Sequence, residues 1–236
     1  MPGAASGSAA GPVTVPRSPV GLSYAVVALL GTVIVTDVFS ILVSLRVRSL
    51  MDDVISGNFV SDAALDGVDS LRRVSMPLFY VTAVACAVVF VVWFFRVRRN
   101  AGIFAPDLQR RGAGWAIGAW FIPIGNLWLP RGIAADILAA SRQDPYGLGR
   151  SKGESGTVLD AWWTMWVVSL LFNRWFSVGH GRAETAAGLR AAADMVIIGD
   201  LINITAAVFA ILFVRMLTRM QQFKAAPLPA ERPVLN

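Results

Sequence analysis

The chain is 236 residues long, 56% hydrophobic and only 15% charged, with a formal net charge of +6. A soluble domain carries about a quarter charged residues, so this deficit, concentrated in apolar runs, places the chain in the membrane class. Lys152 and Lys224 are the only lysines among 21 basic residues, and most of the arginines border apolar runs. That position reads as topology anchoring and lipid-headgroup contact rather than nucleic-acid binding.

Residues 1–20 are rich in Pro, Gly, Ala and Ser and predict a flexible tail. They make a poor signal peptide, because Arg17 is the only charge and no small-residue cleavage site closely follows a short apolar core. The first apolar run, 22–43, is therefore expected to be an uncleaved span. Thr32, Thr36, Ser40 and Ser44 recur on it every fourth residue, with Asp37 alongside, as a polar stripe that should face protein. Residues 46–75, with five Asp and four Arg, read as a polar connection. A charge-free second span, 76–95, ends in Trp93, Phe94 and Phe95 and then Arg96, Arg98 and Arg99, an aromatic belt followed by cytoplasmic anchors. Cys86, the only cysteine, lies inside this run. It excludes an internal disulfide, two-cysteine redox motifs and cysteine-rich metal sites.

The next stretch, 112–141, reads GAGWAIGAWFIPIGNLWLPRGIAADILAAS. It is apolar enough for a bilayer but is interrupted by Gly, by Pro123 and Pro130 and by Asn126. A segment that dips in and turns back tolerates such a break better than a continuous helix does. Two short helices meeting at 122–126 are expected, with Asn126 satisfying freed backbone groups, and with Gly114 and Gly118 as a small-residue contact for a neighbouring helix. Trp115, Trp120, Pro123, Asn126, Trp128 and Pro130 form the hairpin motif. It reads either as a binding or gating element or as an interfacial hairpin with tryptophans at headgroup depth.

A punctuated loop, 142–155, leads to an aromatic third span, 158–178, then to a connector holding the only histidine, His180, which reads as solvated. The fourth span, 195–216, is prolonged at its start by the Ala-rich 184–194. Residues 223–236 form a second tail, leaving 21–222 as one membrane domain. Charge distribution selects the topology. With four spans and the hairpin on one side, fourteen of the 21 basic residues lie inside. A fifth crossing would leave nine inside and twelve outside, against the positive-inside tendency. Both termini are then cytoplasmic at a cell (inner) membrane, and the fold class is an all-α bundle of four spans plus a re-entrant or interfacial hairpin.

Two further groups could carry function. Asp37, Asn173, Arg174, Asp200 and Asn203 fall together in the outer half of the membrane in this topology. A buried carboxylate there must pair, with Arg174 for instance, or take up a proton, so the group is either a proton or cation relay or a polar clamp. Arg96, Arg98, Arg99, Arg110 and Arg111 could bind anionic lipid or an acidic partner. Metalloprotease, serine-hydrolase and phosphate-loop patterns are absent from the sequence, and no cofactor is indicated.

The run from Trp93 to Ala101 (WFFRVRRNA), then Gly114-Trp115-Ala116-Ile117-Gly118, then Trp120-Phe121-Ile122-Pro123 and Asn126-Leu127-Trp128-x-Pro130 resemble a bacterial membrane-protein family common in actinobacteria. This is domain-of-unknown-function family forty-three twenty-eight. Residues 136–141 (DILAAS), Trp162-Trp163-x-x-Trp166 and Asn173-Arg174 extend the likeness, which spans roughly 22–217. Leu138 departs from it, standing where the family pattern has Trp, which would loosen an aromatic anchor. The resemblance implies an integral membrane domain with several spans and brings no activity, substrate or cofactor. The expected function is a non-enzymatic scaffold or interaction protein, in contact with the bilayer, anionic lipid, a partner membrane protein or a second copy, and not with nucleic acid. The alternative is a small transporter or channel subunit using the hairpin and the acids; an enzyme acting on lipid comes third.

Overall fold

The computed structural model describes residues 15–146, 154–179 and 185–226. His180 lies outside them. Every regular element among the described residues is helical: α1 Val20–Ile55, α2 Asp62–Phe104, α3 Trp115–Gly118, α4 Leu129–Ser141, α5 Glu154–Gly179 and α6 Ala186–Ala225, with 3-10 turns at Pro106–Leu108 and Gly125–Leu127. In lipid a helix satisfies its backbone groups within itself, which is why long apolar runs take this form. α1, α2 and α6 are long and apolar enough to cross a membrane. α5, 26 residues long, packs along α6.

Local chemistry fixes the boundaries. α1 stops at Gly57, whose left-handed φ of 78° lets its N–H reach the Val54 carbonyl. α2 ends where Pro106 forces Ala105 out of helical geometry. Pro130 sits in the first turn of α4, where its missing N–H costs nothing. The Thr185 hydroxyl caps α6 by accepting from the Gly188 N–H at 3.1 Å.

Three long helices exceed the bilayer. At 36, 43 and 40 residues they measure roughly 54–64 Å, against a hydrocarbon core of about 30 Å. The expected polar connection at 46–75 is instead mostly helix, continuing α1 to Ile55 and starting α2 at Asp62. Val43, Val47, Leu50 and Met51 keep a helical spacing and form a small second core with Val68 of α2 and Ala193 of α6. Arg48–Asp194 at 3.3 Å and Arg190–Asp52 at 2.7 Å brace it. The charges thus lie on the outside of a helical stalk, and Pro77 is carried inside α2 without ending it.

α1 and α6 form the most extensive pairing, α2 packs on the other side of α1 and α5 on the other side of α6. The order α2–α1–α6–α5 leaves a gap between the two outer helices. α3 and α4 fill it at one end, where α2 and α6 terminate and α1 begins. α6 runs on to Ala225, past the expected start of the second tail. Residues of the first expected tail are also anchored, because the Arg17 backbone exchanges two hydrogen bonds with the Asn100 amide, at 3.0 and 2.8 Å.

Candidate functional site

The hairpin is unequal. Its first arm is the single turn α3, its second arm the 13-residue α4, and the chain between them is irregular from Ala119 to Trp128 apart from one 3-10 turn. Ile124 adopts φ 63°, a strained conformation for a β-branched residue. The Asn126 backbone N–H, not its side chain, satisfies the Ile122 carbonyl. Gly114 and Gly118 face open space, so the expected close helix contact does not form there. The tight glycines are Gly125, where a Cβ would meet Ile122 at 2.8 Å, and Gly199 on α6, where it would meet the Phe172 ring at 3.0 Å.

Trp120 is the member of the motif that does the packing. Its ring lies 5.7 Å from both Phe90 and Phe94 of α2 and 6.1 and 5.6 Å from Trp163 and Trp166 of α5. Phe90 and Trp162 touch at 5.7 Å, and Trp162 stacks on Phe213 of α6 at 4.5 Å. Trp163 donates its indole N–H to the Leu127 carbonyl at 3.0 Å. Trp115, Trp128, Phe121 and Ile124 remain exposed, Pro123 lies in the exposed turn, and Pro130 is buried. The hairpin's main neighbour is α2, with α5 second. Leu138 sits buried in the same core.

The five arginines Arg96, Arg98, Arg99, Arg110 and Arg111 separate by their partners and by burial, with Arg110 exposed. Arg98 is buried and donates to the Arg111 carbonyl. Arg110 forks onto the Asp136 carboxylate of α4 at 2.8–3.2 Å. Those hydrogen bonds, and the negative charge of Asp136, hold the Arg110 guanidinium protonated beyond its ordinary range. The Arg111 guanidinium lies against Gly132 of α4. Arg96 is half-buried and Arg99 exposed. With Arg17 they surround a groove of about 330 Å³ whose walls include Val92, Phe95 and Ile103.

Behind these arginines runs a polar lock that sequence reading did not find. Asn100 donates to Gln221 Oε1 at 3.0 Å; Gln221 donates to the Val97 carbonyl at 2.9 Å and to Ser141 Oγ at 3.2 Å. Lys224 donates to the Ala140 carbonyl at 2.9 Å, and Trp93 to Thr218 at 3.2 Å. The ends of α2, α4 and α6 are thereby tied together. Gln221 falls in a polar-looking helix end, where nothing in the pattern distinguishes it from a surface residue.

The intramembrane group is only partly assembled. Asp37 of α1 is fully buried, Asp200 of α6 is 9% exposed, and the two lie close enough for their charges to interact. Both oxygens of Asp37 and Oδ2 of Asp200 have no hydrogen-bond partner. Asn173 donates to Asn203 at 3.2 Å, joining α5 to α6. Arg174 is exposed and pairs with neither acid among the described residues, so the expected counter-ion is missing. Of the polar stripe, Thr36 and Ser44 are buried and Ser40 half-buried, while Thr32 is exposed. A four-residue spacing drifts about 40° per step on a 3.6-residue helix, which carries Thr32 off the face.

Two cavities flank this seam. One, about 350 Å³, is lined by Ser40, Ser44, Arg72, Ser75 and Val196 among others. The other, about 470 Å³ and largely apolar, lies in the gap between α2 and α5; Asn173 and Asn203 line it, and Trp120 and Phe121 contribute from the hairpin. No group of three or more His, Cys, Asp or Glu side chains among the described residues could hold a metal ion.

Long apolar helices around a broken, aromatic-plugged hairpin define an all-α membrane-type bundle. Residues 56–219 match the family described as Domain of unknown function (DUF4328), and the chain belongs to that family. The matched region begins just after α1, so Asp37 lies outside it and Asp200 inside. No curated protein and no solved structure matches the chain.

Proposed function

We propose that this is a multi-pass cell-membrane protein with four crossings, both termini cytoplasmic and the hairpin on the cytoplasmic face. It works by binding rather than catalysis and holds anionic lipid headgroups at that face. The observation that carries the reading is the division among the arginines. Arg98 and Arg110 are consumed by internal bonds, whereas Arg17, Arg96 and Arg99 surround a groove with apolar walls, Arg96 making one long hydrogen bond to the Ser18 carbonyl at 3.3 Å. Positive charge above an apolar wall suits a phosphate headgroup with the start of its acyl chain. The exposed Trp115, Trp128 and Phe121 suit headgroup depth on the same face.

The test uses nanodiscs of phosphatidylcholine with increasing phosphatidylglycerol and reads lipid retained on the purified protein by native mass spectrometry. Arg96→Gln and Arg99→Gln should each weaken phosphatidylglycerol retention roughly fivefold, at about 1 kcal/mol per arginine near the surface. Arg72→Gln, at the opposite end of the bundle, should leave it unchanged. Equal retention in all variants would refute the headgroup reading.

A further inference from the structure

Asp37 and Asp200 sit on facing helices in the most extensive interface of the bundle. Three of their four carboxylate oxygens are buried without a hydrogen-bond partner. Buried polar groups are normally satisfied, so three orphaned acceptors in one place call for a missing donor. Among the described residues no cation pairs with either acid. From α5 the nearest groups are the Asn173 amide, already bonded to Asn203, and the exposed Arg174. From α2 the exposed Arg72 and the half-buried Ser75 line the smaller cavity, Arg72 making no ion pair among the described residues. Arg48 and Arg190 are held by Asp194 and Asp52.

We infer that Asp37 and Asp200 together form a proton-binding site, loaded from water through the cavity that Ser40 and Ser44 line. Two carboxylates and a hydroxyl fall short of the six or more oxygens around Ca²⁺ or Mg²⁺ and would leave the balance to water. A proton needs one oxygen and gives the orphaned acceptors the donor they lack. The path is short. The cavity of about 350 Å³ is roomy enough for water and reaches Ser40, which stands beside Asp200, and Asp200 in turn interacts with Asp37. On loading, a proton leaves a cavity water or hydronium, an O–H bond forms on one carboxylate, and that group donates to the other. On unloading, the proton returns to water. Two facing negative charges repel across the α1–α6 seam and a shared proton bridges them, so the site couples acidity in the cavity to the tightness of that seam. One partner, Asp37, comes from outside the matched family region, so the site is completed by α1.

The test is a pH titration of the full chain in nanodiscs by attenuated-total-reflection infrared spectroscopy, following the carbonyl band of a protonated carboxyl group. The wild type should show this band, shift it in deuterium oxide, and lose it as pH rises. Asp37→Asn and Asp200→Asn should each reduce it and the pair together abolish it, while Asp160→Asn leaves it intact. Ser44→Phe, which narrows the cavity, should slow its deuterium shift without removing it. Far-ultraviolet circular dichroism and size-exclusion chromatography confirm that each variant is folded. A band unchanged in the folded double variant, or absent from the wild type at every pH, would overturn the site. Loss of the band on adding Na⁺ at fixed pH would also overturn it, replacing the proton by a metal cation.

Discussion

The two ends of this bundle treat buried polarity in opposite ways. At the hairpin end, Asn100, Gln221, Ser141, Arg98 and Asp136 are buried, and each finds partners in neighbouring elements or its own backbone, with Gln109 Oε1 the one acceptor left over. Midway along the α1–α6 seam, Asp37 and Asp200 are equally buried and nearly unserved. Satisfied networks tie elements together and specify one arrangement. Orphaned carboxylates cost stability and mark a place where something other than the fold is held. Most of the residues that carry the family resemblance lie at the first end.

The contrast can be broken most forcefully at Trp120. Its ring bridges α2 and α5, so Trp120→Ala should destabilise the protein by about 3 kcal/mol, whereas Trp128→Ala, on the exposed rim, should stay within about 0.5 kcal/mol. Thermal unfolding in detergent compares them. A similar loss for both would mean that the hairpin is held by lipid and not by its plug. Next in size is the polar lock. Gln221→Ala strands one N–H of the Asn100 amide, whose other bonds go to the Arg17 backbone, and should cost about 2 kcal/mol. Adding Asn100→Ala should then cost less than it does alone, because the shared bond is already gone and only the Arg17 bonds remain to be lost. Additive losses would show that the lock is not one network.

The smallest effect sharpens the comparison best, because the same substitution is made at both ends. Asp136→Asn removes charge-assisted bonds from the exposed Arg110 and should destabilise by about 1 kcal/mol. At a pH where the site is unloaded, Asp37→Asn removes no bond and relieves an uncompensated acid, so it should be neutral or slightly stabilising. Denaturant unfolding at alkaline pH, where the carboxyl band is lost, reads both. A larger loss at Asp37 than at Asp136 would turn the seam into a structural clamp.

The helical class, the break at 122–126 and the aromatic character of α5 could all be read in the sequence, because span length, Pro-x-Gly-Asn and Trp spacing are local signals. The helical stalk was missed, since the Asp and Arg of 46–75 mask the buried stripe of Val43, Val47, Leu50 and Met51. The small-residue contact was placed on Gly114 and Gly118 when the crowded positions are Gly125 and Gly199. Spacing alone cannot say which glycine meets a neighbour. Arg98 illustrates the same limit: three adjacent arginines look alike in sequence, and only helix phase sends Arg98 inward and Arg99 outward. The sequence assigns Asp37 and Asp200 to the same half of the membrane and leaves open whether they meet, and the absence of Arg174 from the pair is not legible in it.

The central claim is that the broken stretch is a plug entering and leaving on one face of the membrane. Single-cysteine labelling in a Cys86→Ser background tests it directly, with Gly112→Cys before the hairpin, Gln143→Cys after it and Asn58→Cys at the α1–α2 turn. All three positions are exposed. An impermeant maleimide added to intact cells should label Asn58→Cys alone, and the other two should label together once the membrane is opened. Labelling of Gly112→Cys and Gln143→Cys from opposite faces would make the stretch a fifth crossing and contradict the account.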